Sequence, residues 1–398
     1  MVFEESSLRG LARRPYDLPT ANEVAVIYVG EDNDVPANRS LAVHLRSATG
    51  EQPRNISDID KICDPLTYPL LFPTGEGGWE PGLRNREGTR ITQKEYYAYL
   101  FSIRDSFNPI LYAGELCQQF AVDAYVKIEQ NRLNFQRRNQ LILRRETFRG
   151  LQDYLAENDN SGPPGSRVVL SSSHAGSPRA MQQAYQDAMA IVARYGKPTF
   201  FLTMTCNPQW KELRENLYFG QSPSDRPDLI AHVFNAKLQE LCTDLFKKNI
   251  LGEVEAYVYV VEFQKRGLPH CHMLLIMKEN WKVRTAEDVD KSVCAEIPNS
   301  EAEPELYAAV TAYMIHRQCG AMDPRSPCMQ NGSCARRFPE EIRDRTTLDD
   351  DGYPNYRRRN LFPTEIQGIP YTDEWVVPTN PYLLQKYDCH INLEICGM

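Results

Sequence analysis

Several things are missing from this sequence, and each absence narrows the field. No run of about 18 apolar residues occurs, which excludes a helical membrane span. The opening MVFEESSLRGLARRP has no apolar stretch of the kind an export signal needs, so a nuclear or intracellular protein is expected. No G-x-x-x-x-G-K-[ST] string is present to cradle nucleotide phosphates. The closest fragment, YGKPT, puts Pro198 where a magnesium-binding hydroxyl belongs, so ATP hydrolysis by that route is excluded. There is no internal repeat and no low-complexity tract. Eleven cysteines, an odd number without an export signal, point to reduced thiols or metal ligands rather than a disulfide framework. A net charge of −8 excludes coating nucleic acid by bulk charge, though not a local basic groove.

What is present is ordinary for a folded chain: 398 residues, 42% hydrophobic and 25% charged, enough for two or three domains. Residues 1–95 form a mixed N-terminal region, with strand candidates at 24–30 and 41–45. Within it, 63–79 is broken by Pro65, Pro69 and Pro73 and reads as an ordered loop. Residues 96–156 form a helical segment that turns basic from Arg132 to Arg149, with Leu116, Phe120, Ala124 and Ile128 along one face. The stretch 157–166 is a linker. The core, 167–277, has a different rhythm. Ser177, Pro178 and Gly196 bound a helix, 198–205 is a strand, and 229–249 is a helix with Asp228 as its cap. EAYVYVVEF (255–263) and LPHCHMLLIM (268–277) then make a hairpin. An α+β layer with an antiparallel sheet flanked by helices follows. Residues 278–370 are a Cys-rich insertion with a helix at 302–318, and 371–398 hold a final strand at 386–395.

The hairpin carries the most informative chemistry. Side chains alternate along a strand, so His270 and His272 share one face and Cys271 points the other way. The neighbouring strand offers Gln264 and Glu262, also two apart. Two imidazoles and one oxygen donor suit Mg²⁺ or Mn²⁺ acting as a Lewis acid on a phosphate. Gln264 is the first choice for the third ligand, being nearer the turn, and Glu262 the second. Lys265 and Arg266 sit beside the histidines and could contact phosphates. Further basic groups are Arg132–Arg149, Arg336–Arg337 and Arg357–Arg359, of which the first and last read as solvated faces. The alternative for the histidines is a half-buried face on which they are merely hydrogen-bonded. Trp210, Phe200 and Tyr218 could stack on unpaired bases or equally be core.

A second cluster, His316, Cys319, Cys328 and Cys334, follows the pattern H-x2-C-x8-C-x5-C. Three thiolates and an imidazole satisfy tetrahedral Zn²⁺, which would fix a loop too polar to pack alone. A loop of reduced cysteines is the other possibility. Cys389 and His390 are adjacent in a strand, point to opposite faces, and so do not chelate together.

The string KRGLPHCHMLL resembles the His-hydrophobic-His motif of HUH-type rolling-circle nucleases, in the form seen in Helitron transposases. FFLTMTCNPQW, RPD before a helix, DPLTYPLLFPTGEGGW and PYLLQKYDCHINLE resemble further Helitron motifs, in the family's order, from about residue 60 onward. The resemblance implies a Rep-like domain that recognises single-stranded DNA at transposon ends and nicks it with a tyrosine nucleophile and a metal ion. It implies His270 and His272 as metal ligands, Gln264 as the third, and Thr203, Thr205 and Asn207 lining the adjoining strand and turn. The family's tyrosines lie in a helix beyond PYLLQKYDCHINLE, so the expectation is a copy truncated before that helix. Tyr387 and Tyr382 are the remaining nucleophile candidates, each as easily a packing residue. Full-length relatives also carry a helicase domain, of which this chain has no motif. Three expectations stand: a nicking enzyme, a non-catalytic nucleic-acid-binding module, and a zinc-stabilised interaction protein.

Overall fold

A computed structural model describes residues 40–43, 54–139, 170–264 and 267–397. The strand candidate at 24–30, the linker at 157–166, Lys265 and Arg266 lie outside these residues. The described residues fall into two compact units, one from Met1–Pro109 with Phe120–Met181, the other from Ile110–Gln119 with Gln182–Met398.

The first unit holds the β1–β2 ribbon (Ser40–Val43 with Arg54–Ser57) and helices α1 (Cys63–Thr67), α2 (Gln93–Leu100) and most of α3 (Glu115–Arg138). Thr92 caps α2 in a capping box with Glu95. Where the sequence suggested only loop, Cys63–Thr67 makes one helical turn. Pro65 falls in that first turn, where a missing N–H costs nothing. Phe120 anchors the unit, with Tyr68, Phe72 and Tyr97 packed edge-on to it. Beneath them, buried Lys127 pairs with Asp64, which also accepts from the Tyr97 hydroxyl at 3.0 Å.

The second unit is built on a four-stranded antiparallel sheet in the order β12-β3-β5-β4, with β3 Phe200–Thr205, β4 Val254–Phe263, β5 Pro269–Met277 and β12 Ile391–Ile395. Alternation gives each strand one apolar face. Leu202 and Met204 of β3, Cys271 and Met273 of β5, and Leu393 of β12 are wholly buried on it. Burying each such aliphatic side chain is worth roughly 1.5–3 kcal/mol. Leu238, Leu241 and Leu245 of the helix Pro227–Phe246 join that core, as do Leu383, Leu384 and Tyr387 of the helix Pro381–Tyr387. Phe200 and Trp210 are core residues too, and Tyr218 stacks on Tyr112 at 3.7 Å.

Helix α4 (Pro178–Tyr195) starts as the sequence predicts, Ser177 Oγ accepting from Ala180 N–H at 3.1 Å. After it come α5 (Lys211–Arg214) and α6 (Pro227–Phe246). Asp228 does not cap α6. It lies inside the helix, and both its carboxylate oxygens take the buried Arg226 guanidinium, at 2.9 and 2.8 Å. α7 (Ala286–Ser292), α8 (Pro304–Tyr313) and α9 (Pro381–Tyr387) follow, α8 ending short of the predicted 318. Tyr382 and Tyr387 therefore lie on a helix, capped by Asn380, rather than at a strand start. Between α8 and α9 run the two-stranded ribbons β6–β7 (Met329–Gln330, Ser333–Cys334), β8–β9 (Thr347–Leu348, Pro354–Asn355) and β10–β11 (Thr364–Ile366, Ile369–Tyr371). No helix among the described residues is long and apolar enough to cross a membrane.

Candidate functional site

The face of the sheet opposite the apolar core is polar at one end. Directly paired residues of antiparallel strands share a face. The registers pair Glu262 with His270 and His270 with Thr205. One step past the β3–β12 pairing, the His390 carbonyl accepts from Thr205 N–H at 2.9 Å. A row Glu262, His270, Thr205, His390 thus crosses all four strands. The next row is Val260, His272, Thr203, Asn392.

Each motif histidine is held by the threonine beside it. His270 Nδ1 lies 2.7 Å from Thr205 Oγ1, and His272 Nδ1 3.1 Å from Thr203 Oγ1. With Nδ1–H donating to the hydroxyl, the lone pair is left on Nε2, the tautomer a metal ligand needs. Phe201 stacks on His272 with its ring within 5° of parallel, fixing the imidazole plane. The two imidazole centroids are 4.4 Å apart. Glu262 Oε2 stands 3.9 Å from His272 Nε2 on an exposed, movable side chain. Burial, then His272 and Arg336, push the His270 imidazole below its ordinary pKa, with Glu262 opposing. A neutral imidazole keeps its lone pair for a cation.

The other predicted residues divide. Gln264 sits opposite Leu268, its N–H on the Leu268 carbonyl at 3.0 Å, two pairs beyond the pairing of Glu262 with His270. The register thus favours the oxygen donor ranked second from the sequence. Asn207 is buried and fully engaged: Nδ2 donates to Tyr313 Oη (3.0 Å) and the Asp388 carbonyl (2.7 Å), and Oδ1 accepts from Gln209 N–H. It ties the end of β3 to the turn before β12. Tyr387 is 1% exposed, and its hydroxyl donates to Asp244. Tyr382 is exposed on the same helix.

Sequence reasoning missed His390 and Asn392. Their signal was the alternation in CHINLE, which puts both on the face opposite Cys389. Among the described residues, buried His390 Nδ1 has no hydrogen-bond partner. Burial, His270 and Arg336 push its pKa down to about 4.

His316, Cys319, Cys328 and Cys334 come together as the spacing predicts, with all four ligand atoms within 4.8 Å of one another. Among the described residues they are the one such group of three or more. His316 Nε2 is 3.7 Å from Cys319 Sγ and 3.6 Å from Cys334 Sγ. A tetrahedron with Zn–S of about 2.3 Å and Zn–N of about 2.0–2.1 Å has an S···N edge of roughly 3.6 Å. The four residues could therefore hold a metal ion such as zinc. β6–β7 brings in Cys334, and Ala335 N–H closes the loop on the Cys328 carbonyl at 2.8 Å. Phe338 stacks on His316 at 4.3 Å, and Cys319 packs with Tyr371 and Trp375. Burial raises the Cys334 thiol, but N–H groups of Arg336 and Phe338 and the neighbouring thiols outweigh it and hold the pKa below the ordinary value. That environment favours a thiolate.

Residues 96–275 match the family model described as a Helitron helicase-like domain at the N-terminus. The match contains β3, β4 and β5 with both motif histidines, and stops before the Cys/His cluster and β12. No curated protein matches the chain.

Proposed function

Residues 96–275 are a Helitron helicase-like N-terminal region, and from that premise we propose that the chain takes part in Helitron-type transposition by binding single-stranded DNA and a divalent cation on one Rep-like sheet face. The observation that carries this reading is the pairing of each motif histidine with its own threonine, which leaves two Nε2 atoms on that face beside the Glu262 carboxylate. His270 and His272 would hold Mg²⁺ or Mn²⁺, with Glu262 or Gln264 as the oxygen donor. When bound, the cation supplies Lewis-acid polarisation of a phosphate oxygen. Thr203 and Thr205 keep the imidazoles in one tautomer, and Phe201 keeps His272 in plane. At the Cys/His cluster a zinc ion would serve to hold the loop.

Of the two candidate tyrosines, Tyr387 has no free hydroxyl to attack with. The Tyr387 hydroxyl is committed to Asp244 within the core. That favours a binding role for this chain, with the nucleophile to come from elsewhere, over nicking by Tyr387.

The test uses a labelled single-stranded oligonucleotide with Mn²⁺. Binding should weaken linearly in log K against log salt. His270→Ala with His272→Ala should lose Mn²⁺ binding in calorimetry while keeping the wild-type melting temperature. A double variant that no longer folds would make the histidines structural and sink the metal assignment. A covalent DNA adduct on a denaturing gel, lost in Tyr387→Phe or Tyr382→Phe, would show that the chain nicks with its own tyrosine.

A further inference from the structure

The chain treats the two edges of its four-stranded sheet differently. Along β12, alternate residues turn their N–H and C=O groups away from β3. Three of these groups are taken up. Leu393 N–H donates to the Pro378 carbonyl at 3.1 Å, Ile395 N–H donates to the Tyr356 hydroxyl at 3.0 Å, and the Ile391 carbonyl accepts from Thr379 Oγ1 at 2.6 Å. The chain closes that edge itself.

The other edge is β4. The bond from Gln264 N–H to the Leu268 carbonyl fixes which residues of this strand face β5, namely the even-numbered ones. Tyr257, Tyr259, Val261 and Phe263 therefore turn their N–H and C=O groups outward, and among the described residues no strand or backbone group takes them up. Their side chains share a sheet face with Cys271 and Met273 but extend past the core, each between 38% and 64% exposed. Tyr257 stacks on Phe246 at 4.0 Å and lies within 15° of parallel to Tyr259, which orders the row. From Ala256 to Val261 the strand has no charge and no proline, the devices that keep a sheet edge from pairing. The bulge at Val254/Ala256 lies at the end of this run.

An open edge of this kind takes another strand, and β4 is complementary to itself. Directly opposed residues of an antiparallel pair share a face, so odd-numbered residues meet odd-numbered ones. A two-fold axis through Tyr259, the middle of Glu255–Phe263, sets Tyr257 against Val261 of the second copy and Glu255 against its Phe263. Glu262 falls opposite Ala256 on the other face. No two carboxylates meet. The paired stretch is about 30 Å long, and with its side chains it buries roughly 600 Å² per copy, the lower end of a specific interface.

We propose that β4 pairs antiparallel with β4 of a second copy of this chain, joining two sheets into one of eight strands. The interface is isologous, the same strand meeting itself. An axis perpendicular to the sheet keeps the histidine faces of both copies on the same side. The inference rests on the sheet edge alone, whatever the histidine face binds.

The test is sedimentation velocity of the full-length chain across the micromolar range, where the mass should double. Tyr259→Lys sets two ammonium groups against each other at the axis and should leave a folded monomer. Each copy carries a net charge of −8, so an added lysine lowers the long-range repulsion between copies, and dissociation then reports the local contact. Val261→Glu should weaken dimerisation about tenfold, and adding Tyr257→Lys, its opposite number, should recover most of that loss. Val261→Lys replaces Tyr259→Lys if that variant does not fold. A wild-type chain that stays monomeric overturns the inference, and so does a dimer unmoved by the lysine. Oligonucleotide binding by the monomeric variant would leave the reading of the histidine face standing in either case.

Discussion

The Tyr387 hydroxyl donates to Asp244 Oδ2 at 2.6 Å, in the core on the side of the sheet away from His270 and His272. A hydrogen bond to a buried carboxylate contributes about 1.5–3 kcal/mol. Tyr387→Phe should cost that much in denaturant unfolding and leave oligonucleotide affinity unchanged. Lost affinity at unchanged stability would place Tyr387 at the DNA instead.

Asp244 also takes Lys248 at 2.7 Å and Lys386 at 2.5 Å. Burial raises its pKa, but these partners and Tyr387 outweigh it and hold the carboxyl below the usual value. The unfolded chain therefore takes up the proton first as pH falls. The stability Asp244 contributes is complete above about pH 4 and is lost below it, as pH falls through the folded value. Melting temperature against pH should show that loss, and Asp244→Asn should flatten it. At pH 7 the same variant should be less stable by about 1.5–3 kcal/mol, because the hydrogen bonds from Tyr387 and the lysines lose their charged acceptor, while Lys386 keeps Glu240 at 2.8 Å.

Thr205→Val keeps the shape beside His270 and removes the oxygen at 2.7 Å. Freed from its partner, the imidazole can turn and change tautomer. Calorimetry should show Mn²⁺ affinity reduced by about 10- to 100-fold. An unchanged affinity would mean that His270 is not a ligand.

The Cys/His cluster should carry one zinc per chain after native purification. Cys319→Ala should release it and lower the melting temperature. Trp375, 9% exposed and packed with Cys319, should then shift its emission to the red. A chain with no zinc and an unchanged melting temperature would leave the cluster as reduced thiols.

Much of this was legible because the relevant signals are local. β4 and β5 announced themselves by alternation and a short connector, α4 by Ser177, Pro178 and Gly196, and the zinc candidates by spacing. The side of the sheet carrying His270 and His272 followed from period two alone. What stayed hidden was long-range. Nothing in CHINLE says that β12 pairs with β3, so His390 could not be placed beside Thr205. The choice between Glu262 and Gln264 depended on where the turn closes, which spacing alone leaves open. Asp228 looked like a helix cap because caps favour Asp, yet a guanidinium two residues back had the stronger claim on its carboxylate. Asn380 before Pro381 did announce the last helix, a signal masked by the β-like alternation that follows it.

The strand order has a consequence in time. β3 is flanked by β5, which comes soon after it, and by β12, whose residues are the last of the sheet to be synthesised. The β3–β5–β4 part can form from nearby segments, but the β3–β12 edge must close a loop spanning residues 206–390, at an entropic cost that local pairing avoids. On the ribosome, then, the two motif histidines meet their threonines well before His390 and Asn392 arrive. A nascent chain shows half of the polar face, and the other half closes only after the cysteine loop has been made and can take up its own metal.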